Sequence, residues 1–85
     1  MGVIVNYQIF YDFAYELAEL AYSLDEVPVG AVIINDKTHE VISSSHNQMK
    51  SNNSSIDHAE ILALRLAMFR LGNERLNGCS IISTT

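Results

Sequence analysis

Eighty-five residues allow one small domain, whose limited buried surface leaves it marginal without a metal, a disulfide or a partner. An apolar fraction of 48% against 18% charged residues fits a globular core and excludes a disordered chain. Ten acidic against five basic side chains give a net charge of −5, which repels phosphate and argues against a free-standing RNA-binding module. The single cysteine, Cys79, excludes an internal disulfide and suits a cytoplasmic protein. The start, MGVIVNYQIFY, is apolar but has no basic flank and is broken by Asn6, Gln8 and Asp12. It is therefore neither a signal peptide nor a membrane span. Asn6 stands where a myristoylation signal needs Ser or Thr.

Phe10, Phe13, Ala14, Leu17, Ala21 and Leu24 recur at three- and four-residue spacing, with Asp12, Glu16 and Glu19 between them. This predicts an amphipathic helix over roughly residues 8–24. After Pro28 the run from Val29 to Ile34 is apolar and partly β-branched, and it ends at Asn35-Asp36, a turn signal. It reads as a strand buried on both faces. Glu40 to Ser45 reads as a second, more polar strand, and the Asn-Asp-Lys turn predicts a hairpin. Residues 47–57 form a polar loop rich in Ser and Asn. From His58 to Leu71 the chain is apolar on nearly every side, interrupted by Arg65 and Arg70. That predicts a central helix buried all round, ended by Gly72-Asn73. Cys79 to Ser83 starts a third strand, apolar and with no following segment to cover it. The order helix-strand-strand-helix-strand defines an α/β chain, with no internal repeat.

The chemistry centres on Asp57-His58-Ala59-Glu60. One reading is structural: Asp57 caps the helix, Glu60 closes a capping box, and His58 is incidental. The other is catalytic. At a first helical turn, positions i and i+2 can both point past the helix end, and the helix N-terminus favours an anion there. His58 then binds a metal and Glu60 sits beside the metal-bound water, the pairing of ligand and proton shuttle that a zinc deaminase requires. His39 and His46 read as solvated, and Cys79 as a buried, small apolar residue.

The wider pattern favours the catalytic reading. Glu26-Val27-Pro28-Val29-Gly30-Ala31-Val32-Ile33 is followed by His46-Asn47 and His58-Ala59-Glu60. Then come Leu71-Gly72-Asn73, Arg75-Leu76, Gly78-Cys79 and a strand ending in Thr. In that order and spacing, from about Phe10 to Thr85, the chain closely resembles bacterial tRNA adenosine deaminases of the cytidine-deaminase superfamily. The form E-V-P-V-G looks more like the tRNA enzymes than the related guanine or cytosine deaminases. The resemblance implies a three-layer α-β-α fold, of which residues 1–85 are the N-terminal portion of one deaminase domain. It implies His58 as a zinc ligand and Glu60 as the general acid/base. It implies Asn47 as a hydrogen-bonding partner of the flipped base, Val29 as pocket lining and the Ala59 backbone at the base edge. Zn2+ as cofactor, a tRNA anticodon loop as substrate and a homodimer are further implications.

Two departures limit what the chain does alone. A catalytic zinc has three protein ligands and one open position. The family takes the other two from a P-C-x-x-C segment after the strand that here ends in Ser83-Thr84-Thr85, and no such segment occurs in the sequence. Ser54-Ser55-Ile56-Asp57 also replaces the family's Asp-Pro-Thr-Ala. The expectation is a truncated member of the lineage, inactive alone. The alternatives are half of a split enzyme, completed by a separate C-terminal half, and a non-catalytic remnant or self-associating module.

Overall fold

The computed structural model describes residues 7–50, 58–72 and 76–84. Five elements follow in the expected order: α1 (Gln8–Ser23), β1 (Gly30–Asn35), β2 (Val41–His46), α2 (Ala59–Leu71) and β3 (Cys79–Ser83). The strands form one sheet in the order β2-β1-β3, with both pairings antiparallel. β1 is therefore central, and its alternate side chains enter two different cores. Val29, Ala31 and Ile33 pack with Ile42 and with Ala59, Ala63 and Ala67 of α2. Val32 and Ile34 pack with Ala14 of α1, alongside Phe10, Leu17 and Ile82. The result is the three-layer α-β-α arrangement, and β1 is buried on both faces as its apolar run predicts.

α1 lies unusually close to the sheet. A Cβ on Gly30 would fall 1.9 Å from the Ala14 carbonyl oxygen and 2.8 Å from Leu17 Cβ. Only glycine fits under that turn of helix. Close seating also changes the buried face: Ala14, Ala18 and Ala21 are buried, whereas Phe13 and Leu24, expected in the core, are 36% and 49% exposed. The helix ends in a Schellman arrangement. Asp25 adopts φ 62°, its N–H donates to Tyr22 O at 3.0 Å, and Glu26 N–H donates to Ala21 O at 2.9 Å.

β1 and β2 form the expected hairpin. Asn35 Oδ1 accepts from the N–H groups of Lys37 and Thr38 at 2.8 and 3.0 Å, an Asx turn that caps the reversal. One feature of β2 is not visible in its sequence. Ile33 pairs with Ser43 but Ile34 with Val41, so Ile42 is an extra, bulged residue. The bulge turns Ile42 and Ser43, consecutive in sequence, toward the same helix. Ile42 joins the core on the α2 side, and Ser43 Oγ donates to Ala63 O at 2.7 Å. Arg70 Nη1 donates to the Ile42 carbonyl at 2.6 Å.

α2 departs from expectation. Its buried residues are Ala59, Ala63 and Ala67, one stripe, while Ile61, Leu64, Leu66 and Leu71 are each 37–41% exposed and Phe69 is 85% exposed. It is covered on one face rather than all round, because the described elements pack against it from the sheet side alone. Gly72 ends it as expected, in the left-handed region at φ 68°. Cys79 and Leu76 are partly buried at the edge of the α2-side core, so the cysteine is less enclosed than its type suggests. The apolar β3 pairs with β1 along one edge, and its Ile81 is 45% exposed. Among the described residues, no helix is long and apolar enough to cross a membrane.

Candidate active site

The sheet brings the singled-out residues to one end. β1 starts where β2 stops, with Gly30 opposite His46. β3 finishes at the same end: Ser83 pairs with Ala31, Thr84 N–H donates to Gly30 O, and Gly30 N–H donates to Thr84 Oγ1, both at 3.1 Å. One residue outward, Asn47 N–H donates to Val29 O at 3.1 Å, which extends the ladder past the strands.

Asn47 is 2% exposed, and it does more than open a loop. Its Oδ1 accepts the Ala59 N–H at 2.7 Å. Ala59 is the first residue of α2, and the first N–H groups of a helix have no partner inside it. The usual remedy is a side chain at the N-cap. Here the N-cap is His58, extended at φ −71° and ψ 151°, and its side chain makes no capping bond. His58 occupies the cap position, and the Ala59 N–H finds its acceptor on Asn47. Asp57 itself lies outside the described residues. His58 remains exposed, while Glu60, second in the helix, is half-buried in a first turn whose dipole favours a carboxylate.

Val29 and Ala59 are buried in the same core as Ile33, 7% and 0% exposed. Five singled-out residues thus share one end of the sheet: Val29 at the head of β1, Asn47 at the foot of β2, and His58, Ala59 and Glu60 at the start of α2. His46 is half-buried, and its Nδ1 lies 3.0 Å from Asn47 O. His39 is also partly buried, at φ 60° in the hairpin turn with its ring edge-on to Tyr7, centroids 6.2 Å apart.

Among the described residues no group of three or more His, Cys, Asp or Glu side chains could hold a zinc ion. Cys79 pairs with Asn35 at the far end of β3, away from His58. Among the described residues, His58 stands as a single candidate ligand rather than part of an assembled metal site. A hollow of about 420 Å³ is lined by Tyr11, Tyr15, Glu19, Tyr22, Pro28 and Thr84 on the α1 side.

One residue of the site has no role of its own in the sequence beyond opening the E-V-P-V-G run. Glu26 is 6% exposed, and its two carboxylate oxygens accept the Lys50 N–H at 2.7 and 3.0 Å. The available signal was a carboxylate set between a helix end and a Val-Pro-Val run.

A three-layer sandwich with H-A-E at a helix start, and Asn from the preceding strand bound to it, defines a deaminase-type domain. The chain belongs to the cytidine and deoxycytidylate deaminase zinc-binding region family, which matches residues 5–85. It is 38% identical over 71 residues to the tRNA-specific adenosine deaminase of Rickettsia bellii (strain RML369-C), covering 84% of this chain and 49% of that one. A solved structure from work on A-to-I editing by tRNA:A34 deaminases at the wobble position superposes with a TM-score of 0.85 at 39% identity. That match covers 91% of this chain and 54% of the other. Guanine deaminase from Bacillus subtilis gives the same TM-score of 0.85 at 30% identity, covering 94% and 50%. The chain spans about half the length of the curated relatives it matches.

Proposed function

We propose that residues 1–85 are the N-terminal portion of a single deaminase domain of the tRNA adenosine deaminase lineage. They supply the base-binding wall and the proton-carrying group for hydrolytic conversion of wobble adenosine to inosine. The observation that carries this reading is the buried Asn47–Ala59 bond of 2.7 Å, which holds the His-Asn and His-Ala-Glu segments as one unit.

The roles are those the family resemblance implies, and the arrangement of the residues supports them. With Oδ1 committed to Ala59, the polar end that Asn47 has left is its amide nitrogen, a donor toward an acceptor atom of a base. Val29, whose carbonyl accepts the Asn47 backbone N–H, is the pocket-lining residue. Ala59 gives its N–H to Asn47 and acts at the base edge through it. Glu60, half-buried at the positive end of α2, is placed to hold and pass a proton. His58 is one ligand of the family's zinc. The described donors do not assemble the metal, so the water-activating step falls outside what this chain performs alone. In this reading the other two ligands would come from a P-C-x-x-C segment, in this chain's full protein or in a separate C-terminal half. The anticodon loop of a tRNA is the substrate and a homodimer the assembly.

The test mixes this chain with a polypeptide carrying a relative's P-C-x-x-C half, and measures inosine formed in a tRNA anticodon arm. Neither half alone is expected to act, the mixture is, and Glu60→Ala abolishes its activity. Activity of the lone chain, or full activity of the Glu60→Ala mixture, would overturn the reading. A second reading, a self-associating module without catalysis, is favoured by Phe69 at 85% exposed amid the apolar outer face of α2. It predicts concentration-dependent sedimentation that His58→Ala and Glu60→Ala leave unchanged.

A further inference from the structure

Glu26 is a buried carboxylate that the proposed chemistry does not use. It stands directly after the Schellman turn of α1, where the Glu26 N–H bond to Ala21 O fixes its backbone. Its carboxylate crosses 24 positions of sequence to accept the Lys50 N–H on both oxygens, at 2.7 and 3.0 Å. Lys50 closes the short segment that begins at Asn47. That segment is therefore held at both ends: at Asn47 by the bond to Val29 O, and at Lys50 by Glu26. Asn47 in turn holds Ala59. A charged acceptor makes a stronger bond than a neutral one, and a buried one is screened least by water. The neighbouring Lys50–Asp25 ion pair, 2.9 Å long, is exposed at both ends, with side chains 70% and 92% accessible, and cannot do the same work.

We infer that Glu26 is a positioning residue: by clamping the Lys50 backbone it sets Asn47, and through Asn47 the start of α2 that carries His58 and Glu60. This rests on the base-binding role proposed for Asn47. The alanines of α2 fix its distance from the sheet but leave its rotation free, whereas the Glu26–Lys50 clamp constrains the segment that caps it.

The experiment is amide hydrogen exchange on the full chain, read at Asn47, Lys50 and Ala59 against Ile33 in the central strand as a reference for global opening. Glu26→Ala is expected to speed exchange at Lys50, Asn47 and Ala59 about tenfold relative to Ile33, the scale of one lost buried bond. Glu26→Gln, which keeps a carbonyl acceptor, is expected to restore protection to within about threefold. Lys50→Ala keeps the backbone N–H and is expected to leave all three unchanged. Asn47→Ala should expose Ala59 while Lys50 stays protected, which gives the direction of dependence. Unchanged exchange at Ala59 in Glu26→Ala, or acceleration equal to that at Ile33, would overturn the inference. Should Glu26→Ala fail to fold, Glu26→Asp withdraws the carboxylate by one methylene and is read in the same way. If the complemented enzyme makes no inosine while this exchange pattern holds, the functional reading fails and the clamp stands. If inosine forms and Glu26→Ala leaves exchange unchanged, the clamp fails alone.

Discussion

The two helices solve the same packing problem with the same residue and then diverge. Ala14, Ala18 and Ala21 seat α1 on one face of the sheet, and Ala59, Ala63 and Ala67 seat α2 on the other. Methyl groups allow a close approach on both sides. Around α1 the outward positions mix tyrosines with Asp12, Glu16 and Glu19. Around α2 they are mainly Ile61, Leu64, Leu66, Phe69 and Leu71. α2 is also stitched to the β2 segment along its length, by Asn47 at its start, Ser43 in its middle and Arg70 near its end. Alanine packing sets distance without direction, since a smooth apolar stripe can slide or roll. Directional bonds remove that freedom. The helix that carries candidate chemistry is the one that is stitched.

This contrast can be broken at defined points. Gly30→Ala attacks α1, because the added Cβ meets a carbonyl oxygen that cannot swing aside. A loss of about 3 kcal/mol in urea unfolding is expected, the upper end for overpacking and most of the stability of so small a domain. Asn47→Ala attacks the first stitch and strands a buried N–H, which costs about 2 kcal/mol. Circular dichroism melts will show it as a drop that Asn47→Asp, which keeps an acceptor, partly avoids. Ser43→Ala removes a donor and leaves the Ala63 carbonyl in the helix ladder, so about 1 kcal/mol is expected from the same melts. Phe69→Ser probes the uncovered face and should change the unfolding free energy by less than about 0.5 kcal/mol, since the ring is already largely in water. Equal losses from Phe69→Ser and Asn47→Ala would mean that the outer face is covered, and the contrast would fall. Lys50→Ala is expected to leave the urea midpoint at pH 7 unmeasurably changed. The Asp25 carboxylate, through its hydrogen bond and then its charge, raises the lysine pKa above its usual value. Any stabilisation is therefore complete below the ordinary lysine pKa and is lost only as pH rises through the raised one.

The elements that were legible are those in which local pattern and global role agree. The Val29–Ile34 run is short, β-branched and bounded by turn residues, and it is the central strand. Gly72 ends α2 because only a residue at ease in the left-handed region closes the helix there. The face of α1 was misjudged because helix periodicity counts apolar residues by size, while the bare backbone of Gly30 selects small ones, moving Ala18 in and Phe13 out. Hydropathy likewise reports what α2 could bury and not what lies against it. At the site, residue types were legible from motif and order. Their meeting was not, since the Asn47–Ala59 bond joins residues 12 apart and the Glu26 clamp residues 24 apart. The bulge at Ile42 escaped because E-V-I-S-S-S carries no glycine or other mark of it.

The pairing of β1 with its two neighbours also sets a timetable. Five residues, 36–40, join β1 to β2, while 43 residues, 36–78, separate β1 from β3. That is roughly three doublings of loop length, an added closure cost of about 2 kcal/mol in chain entropy. Chain entropy therefore favours closing the hairpin before β3 docks. A β1–β2 hairpin formed first would leave one edge of an apolar central strand unpaired. By that logic, β3 guards the exposed edge of β1, and its docking is the step that closes the route to misassembly.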